Sequence, residues 1–73
     1  MITSYKFIIP YIPDMGSVQP IFGRSSTLET AAQNALWQLN NMRDHDGLPP
    51  LKGFPRGTER VPVYSIHHIP PRP

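Results

Sequence analysis

The feature that most constrains the fold is a segment near the middle of the chain, STLETAAQNALWQL at positions 26–39, whose apolar residues recur at spacings of three and four. On a helix this spacing forms a single apolar stripe that can pack on a sheet. It predicts a helix over Thr27–Asp44, with a capping box between Ser26 and Glu29 at its start and the glycine at position 47 at its end. The residues of the predicted stripe are Leu28, Ala31, Ala32, Ala35, Leu36, Leu39 and Met42.

Three other segments have strand character, and prolines limit each of them. Tyr5–Ile12 alternates so that Tyr5, Phe7, Ile9 and Tyr11 share one face, a turn is predicted at positions 13–17, and a second, shorter strand follows at positions 18–24. A third strand is predicted over positions 61–69. Because proline has no amide hydrogen to donate, the prolines at positions 10, 20 and 62 favour edge positions or strand ends.

These elements predict an α+β fold, a small two-layer domain in which a two- or three-stranded antiparallel sheet is packed by one helix, in the order strand-strand-helix-strand. The chain has 73 residues, so we expect one domain over positions 1–73 with a thin core, since so short a chain buries only about 60% of its unfolded surface. A loop rich in proline and glycine is predicted at positions 48–60, and an extended tail at positions 70–73.

Composition narrows the classes of function. The chain has no cysteine, so neither a disulfide nor a thiolate site is available. The net charge of +2 is a small excess and gives little support to a polyanionic partner. Prolines interrupt the apolar N-terminus after a few residues, which predicts neither a signal peptide nor a membrane span, and a cytoplasmic location is the expectation.

Groups that could perform chemistry do not converge in the sequence. Asp44, His45 and Asp46 point about 100° apart on a helix, and adjacent strand residues such as His67 and His68 face opposite sides of a sheet. No serine lies in a nucleophile elbow. We therefore expect no enzyme activity, no catalytic residue, no metal ligand and no cofactor.

Trp37 lies outside the apolar stripe, on the side of the helix that should meet water. Low charge, amide side chains and a large aromatic are typical of a surface that a partner covers. The flank predicted to bind a partner protein consists of Trp37, Gln33, Asn40, Asn41 and Asp44. The alternative is that the loop or the PPRP tail lies across the indole.

A basic loop gives a second candidate site, for nucleic acid. Lys52, Arg56 and Arg60 accompany Phe54 in the run KGFPRGTER, and such residues grip phosphates while a base stacks on the ring. The alternative is that Phe54 anchors the loop in the core and leaves the charges in solvent.

The segment TLETAAQNA at positions 27–35 resembles the conserved helix start of the HicB-like antitoxins, whose pattern is Thr, a hydrophobic residue, Glu, Glu, Ala, two variable residues, Asn, Ala. Pro13 and Asp14, Gly23 and the run DGLPPL add to the resemblance, which covers about two-thirds of the chain. The family's Pro-Gly-Cys is here Met-Gly-Ser at positions 15–17. We expect no DNA-binding domain after the helix and strand, so the resemblance does not imply operator binding. The resemblance implies a partial ribonuclease-H-like fold without catalytic carboxylates, which binds and blocks a small RNA-cleaving toxin.

The sequence thus predicts a non-catalytic protein-binding module, a small regulator or inhibitor of the phage or mobile-element type, which occludes a partner's functional surface. The expected partner is another protein, such as a nuclease or nucleic-acid-processing complex, and a homodimer is a further expectation because small chains gain core by association. The alternatives are a nucleic-acid-binding protein that uses the basic loop and a structural subunit of a larger assembly. No membrane partner is expected.

Overall fold

A computed structural model describes residues 1–64. Its elements are β1 (Ile2–Ile8), β2 (Ile21–Gly23), α1 (Leu28–His45) and β3 (Glu59–Tyr64), and the strands form one antiparallel sheet in the order β2-β1-β3. The predicted α+β class and the order of the elements are confirmed. The predicted tail, and both histidines of the adjacent pair, lie outside the described residues.

β1 is the central strand and not an edge strand. It starts earlier than the alternation predicts, since Ile2 already pairs with Tyr64 of β3. It ends earlier because the chain leaves the sheet before Pro10, which could not donate to a neighbour. Phe7 and Ile9, which the alternation places on one face, are both buried, but Tyr11 is 68% exposed because it lies beyond the end of the strand. A tight turn follows, in which Gly16 has a φ of 79° and its carbonyl accepts a hydrogen bond from the Ile12 amide.

The other two strands also differ from prediction in their bounds. β2 covers Ile21–Gly23, the part of the predicted segment that follows the proline at position 20, and pairs with Tyr5 to Phe7 of β1. β3 begins two residues before the predicted start, because Glu59 already pairs with Ile8.

The helix has the predicted length, but its start is built differently. Thr27 is the N-cap and makes no side-chain cap hydrogen bond, so the capping box predicted between Ser26 and Glu29 is wrong. The hydroxyl of Ser25 instead accepts a hydrogen bond from the Thr27 amide at 3.2 Å. Ser25, which directly precedes the predicted cap residue Ser26, thus organises the turn that leads into the helix.

The predicted end of the helix is confirmed in detail. Gly47 has a φ of 75°, which lets the chain reverse where a side chain would be strained. The Leu48 amide donates to the Arg43 carbonyl at 2.8 Å, and the Gly47 amide donates to the Asp44 carbonyl at 3.0 Å. These two bonds form a Schellman motif, which satisfies the carbonyls that a helix end leaves free.

The core lies between α1 and the β2–β1 side of the sheet. Ala31, Ala35 and Leu39 are fully buried, as the stripe predicts, but Leu28 and Met42 are each 40% exposed. The buried line continues instead through position 43, because the helix contacts the sheet along residues four apart. The buried hydrophobic residues are Phe7, Ile9, Ile12, Ile21, Ala31, Ala35 and Leu39.

Candidate functional site

Trp37 projects from the outer side of α1 and is 64% exposed. Gln33, Asn41 and Asp44, which the sequence places beside it, are exposed as well. Gln33, Trp37 and Asn41 are spaced by four along the helix, and Asp44 follows three positions later. These four residues form one ridge on the helix surface, which contains the indole. Within the described part of the chain, the proline-rich loop does not enclose the indole, and the tail proposed as its other cover lies outside that part.

Asn40, the remaining residue of the predicted flank, has its amide occupied. Its Nδ2 donates to the Leu51 carbonyl at 3.0 Å, and its Oδ1 accepts from the Leu51 amide at 2.8 Å. The side chain thus imitates a paired strand and holds the loop against the helix. We assign Asn40 a positioning part in the flank, since its polar atoms are already paired.

Arg43 is a buried charged residue whose contacts the sequence interpretation missed. Only 2% exposed, it donates from Nη1 and Nη2 to the two carboxylate oxygens of Asp14 at 2.9 and 3.1 Å, and from Nε to the Pro49 carbonyl at 2.7 Å. The hydrogen bonds from Arg43 to the Asp14 carboxylate hold the pKa of Asp14 below its ordinary value. We call the bonds of Arg43 to Asp14 and Pro49 the clamp. It holds together the end of α1, the turn after Ile12 and the start of the proline-rich loop. Its signal was the four-residue spacing that places position 43 on the buried line.

The outer edge of β2 is closed by helix side chains. Gln38 donates from Nε2 to the Phe22 carbonyl at 2.8 Å and to the Asn34 Oδ1 at 2.9 Å, and that same oxygen accepts from the Arg24 amide at 3.1 Å. Two of the backbone groups that an added strand would use, the Phe22 carbonyl and the Arg24 amide, are therefore already paired. Strand addition at this edge would first have to displace both amides.

The outer edge of β3 is interrupted by proline. Phe22 directs its carbonyl away from β1, so Lys6, its partner in the register, directs its own backbone groups towards β3 and bonds with Val61. By alternation, Pro62 faces outwards, where it presents a carbonyl and no donor. This is a common protection of an edge strand against pairing with another chain.

The basic loop has a different geometry from that of a base-stacking platform. Phe54 stacks on Phe7, with ring centroids 4.9 Å apart and planes 9° from parallel, so it anchors the loop to the core as one of the two interpretations predicts. Lys52, Arg56 and Arg60 are exposed around it. One face of the Phe54 ring is thus occupied by the protein itself.

A groove of about 520 Å³ lies on the other side of α1, between the helix and the segment leading into β2. Apolar side chains from both walls line it, among them Met15 and Met42, and Arg24 and Asp46 are the charged residues of its lining. Trp37 is not part of it. The groove and the exposed indole are therefore separate features.

Among residues 1–64, no group of three or more acidic or histidine side chains is placed to hold a metal ion. None of the helices in this range is both long and apolar enough to cross a bilayer. Comparisons with protein-family models, with curated proteins and with solved structures find no match to this chain.

Proposed function

We propose that this protein is a non-catalytic binding module, a small antitoxin-like regulator or inhibitor of the phage or mobile-element type, which covers the functional surface of a partner protein. The observation that carries the proposal is Trp37, which is 64% exposed on a helix that is otherwise fixed by core and loop contacts. Tryptophan is among the residues most enriched in the energetic centres of protein interfaces. We place the protein in the cytoplasm, because a chain without cysteine does not depend on an oxidising compartment.

The ridge also defines what the partner must offer. Gln33, Trp37, Asn41 and Asp44 span twelve helix positions, a rise of about 16 Å. A complementary surface needs an apolar recess for the indole and hydrogen-bonding groups around it that can pair with the amides. A nuclease with an open substrate groove is a partner of this kind, in line with the resemblance to toxin-blocking antitoxins.

The test is the replacement Trp37→Ala, compared with Tyr11→Ala. Both aromatic side chains are largely exposed, but Tyr11 is not on the helix. A protein recovered from native-host extract by the wild type should bind the Tyr11 variant equally well, whereas the Trp37 variant should lose about 30-fold or more in affinity, as expected for an aromatic hot spot. Circular dichroism should be unchanged in both variants.

The inhibitory part of the proposal is tested with the purified partner. If the partner cleaves RNA, adding the wild-type protein should suppress cleavage in proportion to occupancy, and Trp37→Ala should not. Equal suppression by both proteins would contradict the assignment of the ridge. Retention of RNA by the wild-type protein alone, lost at high salt and on removing the charges of Lys52, Arg56 and Arg60, would favour the nucleic-acid alternative instead.

A further inference from the structure

The face of the sheet opposite α1 carries a row of side chains across all three strands. Phe22 of β2, Lys6 of β1 and Val61 of β3 are aligned by the register and therefore share this face. Phe22 is 46% exposed and Val61 is 37% exposed, while the Lys6 side chain between them is half-buried. The aliphatic stem of the lysine thus completes an apolar strip between two hydrophobic neighbours.

The next row on the same face adds the opposite charge. Ile8 pairs with Glu59, which is exposed, and the row on the other side of Lys6 pairs Ser4 with Val63. The face therefore holds four apolar side chains, one cation and one anion. Lys6 and Glu59 lie on neighbouring strands two residues apart, which is a separation of about 8 Å for strands spaced about 4.8 Å.

We propose that two copies of the chain associate through this face, which we call the back face, in a symmetric dimer in which Lys6 pairs with Glu59 of the partner subunit. The two-fold axis lies between the two sheets and parallel to them, and it crosses the line from Lys6 to Glu59 at its midpoint and at a right angle. Rotation about this axis places Lys6 of each copy over Glu59 of the other. One axis therefore forms both ion pairs. The same axis passes close to Ile8 and Val61, so these apolar side chains meet their counterparts at the centre of the interface.

Closure of the sheet edges favours association through a face. The β2 edge is closed by Asn34 and Gln38, and the β3 edge lacks a donor at Pro62. A second copy is the occupant that the charges fit best, because a face with one lysine and one glutamate is complementary to itself. A partner of a single sign would leave one of the two charges unpaired.

The size of the back face sets the expected affinity. β1 and β3 are seven and six residues long, but β2 has only three. With strands about 4.8 Å apart, the footprint is therefore at most about 14 by 20 Å, which is well below the roughly 800 Å² per partner of a stable interface. Dissociation constants of about 10 µM to 1 mM are therefore expected. Because α1 lies on the other side of the sheet, the dimer leaves Trp37 accessible and does not depend on the proposed partner.

The experiment is a charge exchange followed by sedimentation velocity over a concentration range that extends to about 1 mM. Lys6→Glu and Glu59→Lys should each weaken self-association about tenfold or more, because each creates two contacts between like charges. The double variant Lys6→Glu/Glu59→Lys should restore it. An equimolar mixture of the two single variants should also restore it, since opposite charges then meet at both contacts.

Circular dichroism on every variant establishes that the fold persists, and Tyr11→Ala is the matched surface change that should leave association unaltered. As a test of the apolar centre, Val61→Asp should abolish the dimer with both charges in place. A wild-type protein that is monomeric throughout the concentration range would overturn the proposal. So would single variants that associate like the wild type, or a double variant that fails to recover.

Discussion

Gly23 is the position at which a single methyl group should most damage the packing of helix on sheet. A Cβ atom there would lie 2.7 Å from the carbonyl carbon of Ala31 and closer still to its oxygen. Those atoms belong to the backbone of α1, so no side-chain rotation can relieve the contact. Gly23→Ala therefore forces the helix and β2 apart by about 1 Å, since protein interiors are close-packed and leave no void to accept the group.

The magnitude follows from what that movement disturbs. Overpacking costs about 1–3 kcal/mol on its own, and separation also loosens the contacts of Ala31 and Ala35 with the sheet. We expect a loss of about 2–4 kcal/mol in the free energy of unfolding. For a chain of this length the total is about 4–11 kcal/mol, so the variant should be only marginally folded at 37 °C.

The assay is urea denaturation followed by circular dichroism, with the slope of the transition compared between variants. Gly53→Ala is the matched control, because a Cβ at Gly53 meets nothing within 4 Å and the backbone there does not have a positive φ. This control should be neutral or stabilised by up to about 1 kcal/mol, through a less flexible unfolded chain. If Gly23→Ala unfolds within about 0.5 kcal/mol of the wild type, the close approach of α1 to β2 is wrong.

Four further substitutions examine the contacts that position the ridge. Leu39→Ala should cost about 2–5 kcal/mol in urea denaturation because Leu39 is fully buried, whereas Met42→Ala, at a residue 40% exposed, should cost less than about 1.5 kcal/mol; equal losses would contradict the helix phase. Asn40→Ala should cost about 1–3 kcal/mol and speed hydrogen exchange at the Leu51 amide, and unchanged exchange would refute the bond. Because folding lowers the pKa of Asp14, its contribution to stability is present above the unfolded-state pKa and is lost as pH falls through the folded-state pKa; acid titration of Asp14→Asn should therefore show a smaller loss than the wild type.

Elements with a local signal were predictable from the sequence. The helix follows from the spacing of its alanines and leucines and from the glycine after it, all of which act within a few residues. Strand bounds were less accurate, because a strand ends where its partner ends. β3 starts at Glu59 for the reason that Ile8 is there to pair with it, which no local pattern records.

The same distinction separates the parts of the candidate site. The outward direction of Trp37 depends only on helix geometry, and its side chain is exposed, as its position outside the apolar stripe predicts. The bonds of Arg43 to Asp14 and of Asn40 to Leu51 join residues 29 and 11 positions apart. They depend on the path of two loops, so the residue types alone could not distinguish a buried clamp from a solvated helix end.

The amide side chains of α1 have different roles, and this difference narrows the surface that is predicted to bind a partner. Asn34 and Gln38 close the edge of β2, and Asn40 holds the loop on the opposite side of the helix. Three of the amides that form one polar face in the sequence are therefore already hydrogen-bonded within the fold, on two different sides of the helix. What remains for a partner is the outward line centred on Trp37, a narrow ridge held rigidly from both sides. A ridge of this shape fits a groove better than a flat surface, and a protein that fills a groove blocks whatever the groove would otherwise bind.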